Sequence, residues 1–208
     1  MADGFDDARE FWDARFAAAE YIFGTEPNRF LVSQRDQFLA GAKVLDVATG
    51  EGRNAVWLAQ HDCRVTGIDV SALGLAKARR LAAARGVEID LEQADVRTWA
   101  WPSNRFDAIV SIFIQFAAPV ERQRVFDGIK AALRPGGVIV LQGYTPKQLE
   151  YRTGGPPQVN HMYTEELLRA AFSDMDIIHL REHEDVLAEG TKHVGQSAVI
   201  DLVARKRG

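Results

Sequence analysis

The sequence has little with which to staple or anchor itself. It holds one cysteine, Cys63, among 208 residues, so no internal disulfide can form and nothing points to an oxidising compartment. Positive charge is not in surplus: 25 Lys and Arg stand against 29 Asp and Glu, a formal net charge of −4. That balance offers no global field for nucleic acid or an anionic membrane, and the basic cluster Ala204-Arg205-Lys206-Arg207 reads as a solvated tail. No apolar run approaches the roughly 20 residues needed to cross a bilayer. The stretch Met1–Asp7 has neither the basic nor the apolar region of a signal peptide. A cytoplasmic protein is the expectation, with no nucleic-acid and no membrane partner. Repeats and low-complexity linkers are absent too.

What is present is an ordinary globular composition, 47% hydrophobic and 26% charged, which suits a single domain with a short elaboration. Asp6 to Glu20 is helix-like, with Phe11, Trp12 and Phe16 on its apolar face. A break at Gly24–Asn28 follows, and Arg29 to Leu39 resumes a helical pattern. From residue 43 the rhythm alternates strand and helix: strands at Lys43–Val47, Arg64–Val70, Val87–Leu91, Phe106–Ile114 and Val138–Leu141. Ser71 can cap one helix and Gly86 close it; Pro119 suits the first turn of another. Nearly continuous apolar strands imply a parallel sheet covered on both faces. A helix over Thr164–Phe172 precedes two strands, about Met175–Glu184 and Gln196–Arg205, joined by a loop too short for a crossover and therefore antiparallel. The fold class is α/β, a Rossmann-like, doubly wound, mostly parallel seven-stranded sheet. An N-terminal helical extension (1–40) precedes the main domain (41–208), and residues 144–163 form a lid over the substrate.

The first chemical signal is Val44-Leu45-Asp46-Val47-Ala48-Thr49-Gly50-Glu51-Gly52-Arg53-Asn54. It lies between a strand and a helix, where glycines let backbone amides approach an anionic group. Gly50-x-Gly52-x-x-Ala55 also satisfies a dinucleotide pattern, and Asp69 falls where a ribose-binding acid is expected, so an NAD-dependent oxidoreductase is the alternative enzyme. Three features favour another ligand. Asp46 at the strand end suits a cationic group rather than a pyrophosphate. Asp95, after the third strand, can accept from an adenine amino group. The antiparallel strand pair departs from the simple dinucleotide fold.

With these motifs in hand, the chain resembles the class I S-adenosylmethionine-dependent methyltransferases. The resemblance rests on Val44–Gly52, Val65–Ser71, Gln93–Asp95, Phe106–Ser111 and Leu133–Gly137, five motifs in the family's order. The Gly-Glu-Gly-Arg-Asn loop and Phe11-Trp12-x-x-Arg15-Phe16 resemble the tellurite-resistance and thiopurine methyltransferase branches, which act on small molecules. The resemblance implies S-adenosyl-L-methionine as cofactor, with Asp69 on the ribose hydroxyls, Asp95 and the Val96 backbone on adenine, and Gly50 and Gly52 making room for the methionine portion. Asp46, Ala48, Arg53, Asn54, Val70, Ser111 and Arg15 complete the expected cofactor set. Ala48 stands where the family usually has glycine.

Ligands of an open α/β sheet sit beyond the carboxyl ends of the strands. That rule selects Phe113, Gln115 and Phe116 after the fourth strand and Tyr144 after the fifth, with the loop that carries Glu189 and His193. Arg152, His161 and Tyr163 are expected to bring the lid to the substrate. His193, Glu189 or Tyr144 would serve as a base for an alcohol or amine acceptor, whereas a thiol or reduced chalcogen needs none. His161, His193 and Glu189 match no compact ligand spacing, so no metal is expected. The expectation is methyl transfer to a small acceptor, such as a thiol or chalcogen oxyanion, by a monomer or homodimer. A non-catalytic cofactor-binding module is the non-enzymatic alternative.

Overall fold

A computed structural model describes residues 8–208. Asp6 and Asp7, the first residues of the expected N-terminal helix, and the rest of Met1–Asp7 lie outside the described residues. Seven strands form one sheet in the order β3-β2-β1-β4-β5-β7-β6. Strands β1 (Lys43–Val47), β2 (Arg64–Asp69), β3 (Asp90–Gln93), β4 (Phe106–Ile112) and β5 (Leu133–Tyr144) run parallel. Strand β7 (His193–Lys206) is antiparallel to β5 and to β6 (Met175–Glu189). This is the expected mixed sheet.

The central strands are apolar on both faces because helices cover both. Leu45, Ile109, Ile139, Leu141, Ile200 and Leu202 face one core, closed by Phe126, Ile129 and Phe172. Val44, Ala108, Val110, Val140 and Val203 face the other, closed by Leu31, Phe38 and Leu58. Burying a side chain of this size stabilises the fold by about 1.5–3 kcal/mol, which holds the strand ends and the loops that grow from them.

The crossover helices start where their capping residues stand. Ser71 precedes helix α4 (Ala72–Ala84), and its Oγ accepts from the Gly74 amide at 3.0 Å; Gly86 beyond the other end takes a φ of +68°. Pro119 opens α5 (Pro119–Ala132), and Thr164 caps the helix Glu165–Ala171. Helix α3 (Arg53–Gln60) instead begins on Gly52, at φ +87°. Two expectations need correction. The 29–39 segment is a one-turn helix α2 (Arg29–Ser33) and a 3₁₀ turn, not one helix. The last two strands are longer than expected, so the loop between them shrinks to a turn around Gly190. Burial alternates residue by residue along Asp185–Glu189 and His193–Gln196, as paired strands require, but the residues themselves do not alternate in polarity, so the sequence read as a loop where the pairing continues.

Because β7 runs antiparallel to β5, its first residue lies at the same edge as the last residue of β5. Pairing matches Tyr144 with Val199, and His193 projects six residues beyond. The β6–β7 turn therefore hangs over the carboxyl ends of β1, β2, β4 and β5. Helix α1 (Ala8–Phe16) reaches the same edge from the other side, held to α4 where the Ser71 hydroxyl donates to Asp13 at 2.5 Å. Among the described residues, no helix is long and apolar enough to cross a membrane.

Candidate active site

Two adjoining cavities open at this edge. The first, of about 870 Å³, is floored by the turn after β1 and walled by the ends of β2 and β4. The turn is built from left-handed residues: Ala48 at φ +52°, Gly50 at +55° and Gly52 at +87°. Gly50 lines the cavity, and a Cβ there would come within 3.3 Å of the Phe16 ring that roofs it. Gly52 does not line it. A Cβ on Gly52 would fall 2.6 Å from the Ala78 Cβ, so this glycine lets α4 pack against the turn. Its expected role beside the ligand is thus a packing role.

Asp69 ends β2 and faces the cavity. Its Oδ2 accepts from the Gly50 amide and its Oδ1 from the Ser71 amide, both at 2.8 Å. Burial pushes its pKa up to about 6, opposed by those same amides. Each oxygen keeps a further lone pair for a ligand hydroxyl. Asp95 lies across the cavity, 2.7 Å from the Arg97 guanidinium. Burial works against the Asp95 charge, but Arg97 outweighs it and holds the pKa below the ordinary carboxylate value. Val70, Ala94 and Val96 line the recess between these acids.

Arg53 and Asn54, at the start of α3, also line the cavity. Nη2 of Arg53 donates to Oε2 of Glu189 at 2.7 Å, while its buried Nη1 has no partner in the fold. Asn54 instead braces the chain, its Oδ1 accepting from the Asn28 amide at 3.0 Å. Asp46 does not reach the cavity. It is 2% exposed, and its Oδ2 accepts from the Thr49 hydroxyl at 2.6 Å, behind the turn. Burial raises its pKa to about 7. The carboxylate expected to face a cationic ligand thus fastens the turn. Ser111, another expected contact, is fully buried in β4 and does not line the cavity.

The second cavity, of about 840 Å³, meets the first at Trp12, Phe23, Phe113, Phe116 and His193. Phe113 adopts φ +56°, strained for a bulky residue, and stacks on Tyr144 with ring centroids 4.6 Å apart; such strain concentrates at functional sites. The His193 ring sits 4.6 Å from both Phe23 and Phe113. Its Nδ1 lies 3.5 Å from Oε2 of Glu189. Burial lowers the His193 pKa, Arg53 and Arg15 add to that, and Glu189 opposes it.

Glu189 and Tyr144 depart from their expected roles as bases. Glu189 lines neither cavity; Asn28 donates to its Oε1 at 2.9 Å and Arg53 to its Oε2. Burial opposes its charge, yet His193 and Arg53 bring its carboxyl down to about 2, a poor proton acceptor. Burial pushes the Tyr144 phenol well up, so it stays protonated and cannot serve as a base, though its hydroxyl can donate. Gln115 lines the second cavity but is occupied in bracing: its Nε2 donates to the carbonyls of Tyr144 and His161, and its Oε1 accepts from the Tyr144 amide.

Of the expected lid contacts, Arg152 is exposed and lines neither cavity; His161 and Tyr163 are buried beneath the segment, with Tyr163 packed on Phe126. The 144–163 segment reaches the second cavity instead through Tyr144, Gly154, Gly155, Pro156 and Pro157. Arg15, expected at the cofactor, stands at the mouth of the second cavity. Phe23, Thr49, Glu51 and Lys192 were not anticipated. The clue for the aromatic roof was the apolar face of α1, which has no core to bury against unless it lies over the sheet edge. Among the described residues, no cluster of metal-ligating side chains is present.

Comparison with known proteins fits this geometry. Residues 44–137 match the family described as methyltransferase domain. The chain is similar to a phosphatidylethanolamine N-methyltransferase of Cereibacter sphaeroides, 36% identical over 103 residues, which span 49% of this chain and 50% of that protein. The chain thus matches about half the length of that relative. A structure described by conversion of a disulfide bond into a thioacetal during echinomycin biosynthesis superposes with a TM-score of 0.78 at 21% identity, covering 96% of this chain and 92% of that one. The N-methyltransferase NodS of Bradyrhizobium japonicum, in complex with S-adenosyl-L-homocysteine, gives 0.71 at 15% identity, covering 98% and 100%. These likenesses show a shared fold.

Proposed function

We propose, from the match of residues 44–137 to the methyltransferase-domain family and from the geometry of the first cavity, that the chain is an S-adenosylmethionine-dependent methyltransferase acting on a small organic acceptor. The observation that carries the reading is the orphaned Nη1 of Arg53, buried at the wall of the first cavity. A buried donor without a partner is disfavoured, and the carboxylate of the cofactor's methionine portion would satisfy it. At the other end Asp69 would take the ribose hydroxyls, and Asp95 with the Val96 amide the adenine. Gly50 leaves the space between them. Helix α1 and the segment through Gly24 would serve as a cap over this cofactor.

When bound, S-adenosylmethionine supplies a methyl group on a sulfonium that leaves as a neutral thioether. The protein's part is alignment, since holding the nucleophile in line with the methyl supplies most of the acceleration. The junction of the two cavities, ringed by Trp12, Phe23, Phe113, Phe116 and His193, is where acceptor and methyl would meet, with water excluded by the rings. His193 is the candidate base, and Glu189 positions it. The loop and N-terminal motifs favour the tellurite-resistance and thiopurine branches, but a chalcogen oxyanion would leave the aromatic walls of the second cavity without a partner.

Titration calorimetry with S-adenosylhomocysteine and with NAD tests the reading. Binding of the first without the second is expected; binding of NAD alone would overturn it in favour of an oxidoreductase. Cofactor binding without turnover across a panel of phenols, thiols, amines and tellurite would leave a non-catalytic module.

A further inference from the structure

The second cavity is specific in what it offers an acceptor. Its walls are rings: Phe11, Trp12, Phe23, Phe113, Phe116 and Tyr144. Its charged lining residues are Arg15 and Lys192, and no carboxylate lines it among the described residues. The Arg15 guanidinium lies 4.4 Å above the Phe11 ring and 5.5 Å from Trp12, which fixes a cation at the mouth. Its charge is felt at His193, where it adds to Arg53 in opposing protonation.

Aromatic walls alone would suit an ammonium group. Here the protein itself supplies two cations, and among the described residues no carboxylate lines the cavity to balance a third. The rings therefore serve a planar apolar body, and the two cations serve an anion on it. Among the lining residues stand His193 and Tyr144, with ring centroids 5.8 Å apart, and the Tyr144 hydroxyl is buried without a partner. That pair matches a hydroxyl: Tyr144 donates to its oxygen, and His193 takes its proton. A thiolate or reduced chalcogen would need neither.

We infer that the methyl acceptor is an aromatic hydroxy acid, a phenol bearing a carboxylate or similar anionic group, held with its ring against the aromatic walls, its anion at Arg15 and Lys192 and its hydroxyl at His193. This rests on the methyltransferase reading above. The phenolic proton passes to His193, the oxygen forms a bond to the methyl carbon, and the electron pair of the broken carbon–sulfur bond stays on sulfur. The products are an aryl methyl ether, the neutral thioether and an imidazolium that returns its proton to water.

The full chain, saturated with S-adenosylhomocysteine, is titrated by calorimetry with 4-hydroxybenzoate, 4-hydroxycinnamate, tyramine and tellurite. The two hydroxy acids should bind at least tenfold more tightly than tyramine, and Arg15→Met should abolish that preference. Lys192→Met, at an exposed site, should weaken the acids several-fold with an unchanged melting temperature. With labelled S-adenosylmethionine the label should reach the phenolic oxygen. Equal or tighter binding of tyramine, a preference that survives both substitutions, or binding of tellurite alone would overturn the inference while leaving the cofactor reading intact. Failure of S-adenosylhomocysteine itself to bind would overturn both.

Discussion

The Glu51 carboxylate lies 2.7 Å from the Lys77 ammonium, with both side chains almost wholly buried. The pair ties three segments together. Glu51 stands in the turn after β1 and its Oε2 also accepts from the Phe23 amide at 3.2 Å; Lys77, on α4, also donates to the Glu20 carbonyl at 2.6 Å. The segment through Phe23 is pinned again on its far side, where the Thr191 amide donates to the Ile22 carbonyl at 2.8 Å. Removing one partner of a buried ion pair leaves the other charge unpaired, at a cost of about 3–5 kcal/mol. Lys77→Met should destabilise the protein by that amount in urea denaturation. The double variant Glu51→Gln/Lys77→Met should recover part of the loss, because no lone charge remains. A single variant as stable as wild type would mean that water reaches the pair.

Asp69 should matter more to the cofactor than to the fold. Its two oxygens already order the Gly50 and Ser71 amides, so the site is preorganised before a ribose arrives. Asp69→Ala should weaken S-adenosylhomocysteine binding by about 1–3 kcal/mol, the range for charge-assisted hydrogen bonds. Unchanged affinity in calorimetry would place the ribose elsewhere.

The succession of strands along the chain, both capping residues of α4 and the acids at the end of β2 and just after β3 were legible in the sequence, since each follows from local rules: apolar runs, cap chemistry, a turn where a strand stops. Gly50, Asp69, Asp95, Phe113, Phe116 and His193 were found this way and line the cavities. What local rules could not reveal was direction. Asp46 and Gly52 sit in the same motif as Gly50, yet one points behind the turn and the other toward α4. Which side of a turn a residue faces depends on dihedrals such as the positive φ of Ala48, which its identity argues against. Glu189 was a candidate base in the sequence, but Arg53, 136 positions away, occupies its carboxylate. Partners that distant in sequence leave no local trace.

The packing role of Gly52 predicts a large effect from a small change. A Cβ there would lie 2.6 Å from the Ala78 Cβ and 2.9 Å from its Cα, at φ +87°. Left-handed strain of about 1–2 kcal/mol adds to overpacking of about 1–3 kcal/mol, so Gly52→Ala should lose roughly 2–5 kcal/mol. Gly86→Ala is the control, with φ +68° and nothing within 4 Å; it should lose only the strain. Equal melting temperatures for the two variants would show that α4 moves aside freely.

Asp46 predicts a pH dependence with a definite sign. Its pKa is about 7 in the fold and about 3.9 in an unfolded chain. Between those values the native state holds the proton that the unfolded state has lost, so stability falls as pH rises. The Asp46 contribution is fully present below about pH 4 and lost as pH rises through about 7. Asp46→Asn keeps an acceptor for Thr49 without the charge. Its melting temperature relative to wild type should therefore climb steadily from pH 4 to pH 7.5. A constant difference across that range would mean that Asp46 is already ionised in the fold.

His193 is the residue on which the chemistry turns, and its environment sets how it can be tested. Glu189, Arg53, Arg15 and the Tyr144 phenol surround it, and the net effect of burial and these groups is a pKa below its ordinary value near 6.5. The imidazole is then neutral at physiological pH and can accept a proton. Turnover should rise with pH on an acidic limb below 6.5 and level off above it. His193→Gln keeps hydrogen-bonding capacity but cannot accept the proton. It should lower kcat by about 10²–10⁴-fold, the range for a positioned general base, erase the acidic limb and leave S-adenosylhomocysteine affinity within about twofold. Glu189→Gln separates positioning from proton transfer: it removes the one charge that favours protonated His193, so the limb should move to lower pH while turnover on the plateau persists. A His193→Gln enzyme that keeps both its rate and its acidic limb would assign proton transfer to another group, and the ring at the junction of the cavities would be a wall only.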